Sequence, residues 1–284
     1  MRRRLPIRLG GQVFGDVSDP ESWIGALRRS GYTAAYCPVR DAGDDDAIAA
    51  YAKAAQDAGV VIAEVGAWSN PMSPNDEERR KAQALCKERL ALADKIGANC
   101  CVNIVGSRGQ QWAGHHPDNF SEETFDLIVE VTRGIIDAVK PTRSFYTLEM
   151  MQWMLPDSAD SYARLLEAID RPQCAVHLDP VNIVNSPRRF YGSGDLIREC
   201  FAKLGPHIKS CHAKDIALSE KAVVHLDEVR PGLGGLDYRT YLQELDKLDA
   251  DVPLMIEHLS TEEEYALAAE HIRSVAKDVG VRIR

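Results

Sequence analysis

The chain has no Cys-x-x-Cys pair, no Gly-x-Gly-x-x-Gly turn and no apolar run approaching the roughly 20 residues of a membrane span. The first absence removes the usual structural zinc sites. The second removes the phosphate turn of a dinucleotide-binding open sheet, and the third removes a transmembrane helix. Positive charge is also in short supply: the formal net charge is −9, which disfavours nucleic acid and anionic membrane faces as partners. The seven cysteines are odd in number, Cys100 and Cys101 are adjacent, and most lie in apolar runs. They are expected to be buried, reduced thiols of a cytosolic protein. Met1-Arg-Arg-Arg has the charge of a secretion signal, but no apolar segment follows it. A cytoplasmic location is therefore expected. No repeat or low-complexity segment is visible.

What is present is a rhythm. Of the 284 residues, 45% are apolar, and they fall into eight short runs, each followed by a helical pattern. The runs are 7–13, 33–39, 60–68, 100–105, 145–151, 175–181, 208–216 and 253–259. The helices are expected near 21–29, 44–58, 74–96, 121–140, 158–168, 194–204 and 238–248, with a last one opening at Ser260. Ser73 with Pro74 reads as a helix start, and Ser260 with Glu263 as a capping box. Alternating strands and helices build a parallel sheet. Eight such units within about 250 residues predict one α/β domain over 1–284, a single (β/α)8 TIM barrel. Two connections are long, 106–120 after the fourth strand and 217–237 after the seventh. In a barrel both lie at the C-terminal face, where sites form.

Each of the last four strands ends in a polar residue: Glu149, Asp179, His212 and Glu257. Their separations of 30, 33 and 45 residues match one βα unit each, the last stretched by the long loop. Inward groups from adjacent strands converge at the rim, and three carboxylates with one imidazole balance a divalent cation. Oxygen-rich donors with one nitrogen suit Mn²⁺ or Mg²⁺, with Co²⁺ also possible.

Other residues are placed by the same parity. Lys214 shares the inward parity of His212 and either faces substrate oxygen or pairs with Asp215 at the rim. His177, two residues deeper than Asp179, reads as a hydrogen-bonded core histidine. Glu64 and Asn103 lie near the ends of strands three and four. Trp68 could wall an apolar substrate face or equally pack into the core, and Gln152 and Trp153 follow Glu149 as substrate contacts. His115 and His116, in the 106–120 loop, read as loop surface or lid rather than a second metal site. Arg188 and Arg189 read as solvated charge. His258 should point away from the axis.

The stretch from Tyr146 to Leu259 resembles the xylose isomerase-like barrel superfamily, and within it the sugar phosphate isomerase/epimerase family of ketose 3-epimerases and inosose-processing enzymes. The resemblance is carried by Leu-Glu149, Leu-Asp179-Pro, Cys-His212-Ala-Lys-Asp215, Arg230-Pro-Gly-Leu-Gly-Gly-Leu-Asp237 and Ile-Glu257. The first half of the chain matches only in strand rhythm. The resemblance implies that the four polar residues bind one metal, often Mn²⁺, and that Glu149 and Glu257 also act as the acid/base pair. Pro231, Gly232 and Gly234 match the family's turn after strand seven. Assembly as a homodimer or homotetramer is implied by analogy. One departure stands out: Asn182 occupies the position where family epimerases carry a substrate-contacting histidine. Asn182 can bind a hydroxyl but cannot exchange a proton near neutral pH.

The expected activity is a metal-dependent isomerase or epimerase acting on a keto-sugar or related polyol, through proton abstraction beside a carbonyl and a metal-stabilised enediolate. The alternative is a lyase or dehydratase on an oxidised (keto) sugar or glycoside. Abasic-site endonucleases share the barrel but need several metals and a basic surface, which the charge of −9 opposes.

Overall fold

All eight apolar runs become parallel strands, and these close on themselves in the order β1-β10-β7-β6-β5-β4-β3-β2. The computed structural model describes residues 5–248 and 251–284. The basic segment 1–4, whose charge was weighed above as that of a secretion signal, lies outside them. The barrel strands are β1 (Arg8–Gly11), β2 (Ala34–Tyr36), β3 (Val61–Gly66), β4 (Cys100–Asn103), β5 (Phe145–Glu149), β6 (Cys174–Leu178), β7 (Ile208–Ala213) and β10 (Pro253–Ile256). Closure is made by β1 against β10, with Arg8 to Gly11 in register with Pro253 to Ile256. An Ile7–Ile283 bridge ties the C-terminal segment to the start of β1.

Helices α1 (Pro20–Ser30), α2 (Asp45–Ala58), α3 (Asp76–Ile96), α4 (Glu122–Val139), α5 (Ala159–Ile169), α6 (Pro187–Tyr191), α7 (Ser193–Leu204), α8 (Tyr238–Leu245) and α9 (Glu262–Asp278) follow the strands. Their buried faces pack on the outside of the barrel in one large apolar shell. Each fully buried Leu or Ile there contributes about 1.5–3 kcal/mol. Inside the barrel, Ala34, Ala63 and Met255 form a small separate cluster with Tyr36 packed on it. Gly10 makes room for it: a Cβ there would lie 2.5 Å from the Ala34 carbonyl oxygen and 2.6 Å from Met255 Sδ.

Several local expectations shift. The start of α3 is capped by Asn75, whose side chain accepts from the backbone of Glu77 and Glu78. Ser73 is instead buried and donates to Glu78. The cap of α9 is Thr261, accepting from Glu264, while the Ser260 amide donates to the Glu264 side chain. The seventh run is two elements: β7 stops at Ala213, and β8 (Asp215–Ser219) leaves the barrel to pair antiparallel with β9 (His225–Val229). The expected 217–237 connection is therefore largely a hairpin arm standing over the mouth. The 106–120 loop is ordered around buried Asn119, whose amide donates to the Gly114 and Trp153 carbonyls. This ties the loop to the segment after β5.

Candidate metal centre

Four strand ends meet at one point. Glu149 closes β5, Asp179 follows β6, His212 lies in β7 and Glu257 follows β10. Neighbour pairing sets Glu149 opposite His177, not Asp179. Strand tilt in a closed barrel brings Asp179, two residues further on, level with Glu149. One donor atom from each of the four residues lies within 4.8 Å of all the others. Donors on opposite sides of an ion with bonds of about 2.1–2.4 Å are that far apart, so the set fits a single divalent cation.

The nitrogen facing the carboxylates is His212 Nδ1, at 2.8 Å from Glu257 Oε1, 3.3 Å from Glu149 Oε1 and 3.5 Å from Asp179 Oδ2. Asp179 spends its other oxygen, Oδ1, on the amides of Val181 and Asn182. Asp179 Oδ2 and Glu257 Oε1 are buried, and the side chains nearest them are the Lys214 ammonium and the His212 imidazole. Two buried carboxylate oxygens aimed at a common point suit a cation better than a neutral partner. Burial alone would push His212 down, but the charges of Glu257, Glu64 and Glu149 hold it well above the usual imidazole range. Burial would likewise raise Asp179 and Glu257. Lys214 and His212 hold Asp179 well below the ordinary carboxylate range, and the same two residues hold Glu257 down.

Lys214 points into this cluster. Its ammonium stands 2.7 Å from Glu257 Oε1 and 2.8 Å from Asp179 Oδ2. The alternative pairing with Asp215 does not form. Asp215 turns the other way and accepts from the amides of Ile216, Gly232, Gly234 and Leu236, so it organises the glycine-rich turn beneath the hairpin. Asn182 donates to Glu149 Oε1 and the Met150 carbonyl, and accepts from Lys214. Its side chain fixes two site residues, and Asn182 also lines the cavity over the site.

Above the cluster lies a cavity of about 900 Å³. Trp68 and Gln152 line it, and Gln152 Oε1 is buried without a hydrogen-bond partner among the described residues. Trp153 does not line it: its ring sits 6.0 Å from that of His115, and its carbonyl holds Asn119. Among the described residues His115 and His116 belong to no metal-type cluster, and His116 caps the 3₁₀ turn at Pro117–Phe120. Arg189 donates to backbone carbonyls of Asp157 and Ile183, a structural clasp rather than solvated charge. His258 is a correction: it lines the mouth and meets Glu228 at 3.0 Å. Its φ of 60° breaks the strand alternation on which the outward expectation rested. Glu228, Gln12 and Tyr36 also line the cavity and carry no linear signal of it. Glu64, noted only as a strand-end residue, lies 3.1 Å from His212 Nε2. Its sequence signal was a lone charge inside the apolar run Val61–Gly66.

Comparison with known proteins gives the same picture. A family model for the xylose isomerase-like TIM barrel matches residues 14–275, and the chain belongs to that family. No curated protein matches it. Among solved structures, the probable 3-DHS dehydratase AsbF of Bacillus anthracis aligns with TM-score 0.69 and 17% identity over 95% of this chain and 98% of that one. D-psicose 3-epimerase of Clostridium cellulolyticum H10, solved with D-tagatose, gives 0.67 and 14% over 96% and 99%. A xylose isomerase-like barrel protein of Mycobacterium smegmatis, in complex with magnesium, gives 0.65 and 16% over 96% of both chains.

Proposed function

We propose that this member of the xylose isomerase-like TIM barrel family is a divalent-metal-dependent isomerase or epimerase of a keto-sugar or related polyol. The observation that carries the reading is the convergence of Glu149, Asp179, His212 Nδ1 and Glu257 within 4.8 Å at the floor of a cavity open to small molecules. The hard donor set favours Mn²⁺, then Mg²⁺ or Co²⁺, and the magnesium in the mycobacterial relative agrees with a divalent ion. A cation bound there polarises a carbonyl and lowers the cost of negative charge developing on its oxygen.

The chain's own residues do the rest. Glu149 and Glu257 project from β5 and β10, different sides of the barrel, so a sugar carbon held between them meets a carboxylate on each face. One takes the proton beside the carbonyl and the other, once protonated, returns one. Return to the same carbon from the opposite side inverts it, and return to the neighbouring carbon isomerises. Asn182 fixes Glu149 through its 2.9 Å hydrogen bond. Gln152 Oε1, without a hydrogen-bond partner among the described residues, accepts from a substrate hydroxyl, and Trp68 covers an apolar sugar face.

A second reading, a dehydratase or lyase on a keto-sugar or glycoside, is favoured by Lys214. Elimination needs a proton for the departing oxygen, and an ammonium stands within the cluster. The dehydratase among the structural neighbours agrees with it. Incubation of the Mn²⁺-loaded protein with a panel of keto-sugars in D₂O, followed by NMR and mass spectrometry, separates the two. Solvent deuterium in a product of otherwise unchanged formula supports isomerisation, and release of water or a fragment supports elimination. No exchange into any substrate with Mn²⁺, Mg²⁺ or Co²⁺ removes both.

A further inference from the structure

Beneath the four-ligand cluster lies a second polar layer made by Glu64, His177 and Ser210. Glu64 is 2% exposed, and His177, Ser210 and His212 are fully buried. Glu64 Oε1 stands 3.1 Å from His212 Nε2. Glu64 Oε2 stands 2.8 Å from His177 Nε2 and 2.9 Å from Ser210 Oγ. Around one ionised carboxylate, which only accepts, all three neighbours must donate. The hydrogen of His212 on this side is therefore on Nε2, and Nδ1 is the atom turned toward Glu149, Asp179 and Glu257.

We infer that Glu64 is a positioning residue: it holds His212 as the Nε2–H ring, so that the Nδ1 lone pair is the one offered to a cation at the four-ligand site. This rests on the cation site proposed above. The physical need is general. A metal-binding imidazole must present one nitrogen and satisfy the other, and a buried carboxylate does the second while fixing the ring plane. His177 and Ser210 supply the donors that keep Glu64 aimed. The His177 ring crosses that of His212 at 4.1 Å and 70°, and its own Nδ1 is left without a partner. A buried ring kept with one nitrogen unpaired contributes little to stability by itself, which fits a part whose purpose is to orient Glu64.

The competing use of the same atoms is a second cation on Glu64, His177 and His212, whose donor atoms also cluster. The two uses exclude each other, because His212 Nε2 cannot both donate to Glu64 and coordinate.

The test uses the full chain. Manganese binding is measured by electron paramagnetic resonance for wild type and Glu64→Gln, with the thermal melt of each protein recorded without metal. A glutamine must turn its amide donor toward one of its three donor neighbours, so a 10- to 100-fold loss of Mn²⁺ affinity is expected. The Co²⁺ absorption bands of the variant should shift as the ring tilts. In wild type carrying Mg²⁺, ¹⁵N-histidine spectra should show His212 protonated on Nε2 alone, a measurement that needs no variant. Equal Mn²⁺ affinity in a folded Glu64→Gln protein, or a hydrogen on Nδ1 instead of Nε2, overturns the assignment and leaves the cation site standing. Two Mn²⁺ ions per wild-type chain overturn it in favour of the second cation. A wild type that binds no Mn²⁺ takes down both the site and the assignment.

Discussion

Lys214 Nζ lies 2.8 Å from Asp179 Oδ2, one of the two buried oxygens turned into the site. The other, Glu257 Oε1, is 2.7 Å from the same ammonium. Lys214 and a divalent cation therefore compete for the same acceptors. Lys214→Gln should destabilise the metal-free protein, because breaking a buried ion pair costs about 3–5 kcal/mol. For a chain of this size that lowers the melting temperature by roughly 6–15 °C. The variant should bind Mn²⁺ several-fold more tightly, and saturating Mn²⁺ should close most of the stability gap. Calorimetry with and without metal checks this. An unchanged metal-free melt with unchanged affinity would mean the ammonium is not the resident counter-charge.

Asp179 and Glu257 should fail differently. Asp179 is fully buried and anchored by backbone amides, so the proposed reading gives it a place at the cation and none in proton transfer. Asp179→Asn should lose metal, and excess Mn²⁺ should restore part of the deuterium exchange. Glu257→Gln should lose about 10²–10⁴-fold in turnover even at saturating metal, the usual range for a lost acid/base group. Metal content by mass spectrometry beside exchange rates at high Mn²⁺ separates the two. Full rescue of both variants by metal would deny Glu257 a proton-transfer role.

Asp215 and Gly234 form one unit. Asp215 accepts four backbone amides at 2.9–3.0 Å, and a Cβ on Gly234 would lie 2.3 Å from Asp215 Oδ1 and 2.4 Å from the Ile216 carbonyl oxygen. Gly234→Ala must push the turn outward and Asp215→Ala leaves those amides unpaired, so each should cost roughly 2–4 kcal/mol. Because the turn supports the hairpin that carries Glu228, hydrogen exchange in 215–236 should speed up first. Exchange at wild-type rates there would show that the hairpin is held by something else.

Acid sensitivity has a defined contributor in Asp94. Burial would raise its carboxyl, but the amides of Arg143, Ser144 and Thr142 hold it below its ordinary value of 3.8. A depressed folded-state value stabilises the protein above pH 3.8, and that contribution is lost as pH falls through the folded value. The stability difference between wild type and Asp94→Asn should thus be flat near neutrality and shrink below about pH 4. Denaturant titrations across pH 3–7 measure it, and a gap that widens in acid would reverse the assignment.

The barrel and its four candidate ligands were readable along the chain for one reason. A strand buried on both faces is a short apolar run, and a charge at its end, as in Leu-Glu149 or Ile-Glu257, stands out against that background. Caps were readable only to within a residue or two: Ser73 and Asn75, or Ser260 and Thr261, are neighbouring residues of equal capping chemistry, and the strand-to-helix path decides between them. Periodicity also hid the break at Lys214, because β7 and β8 are both apolar on either side of it.

The sequence by itself determined how many strand–helix units there are and where the carboxylates and the imidazole sit along them. Only the tertiary structure decided which of their atoms converge. Direction at a strand exit depends on backbone angles, as the left-handed His258 shows, and on partners more than a hundred residues away, as with Glu64 and His212. Neither is encoded in local composition, because both arise when the barrel closes and brings separate strand ends to one level.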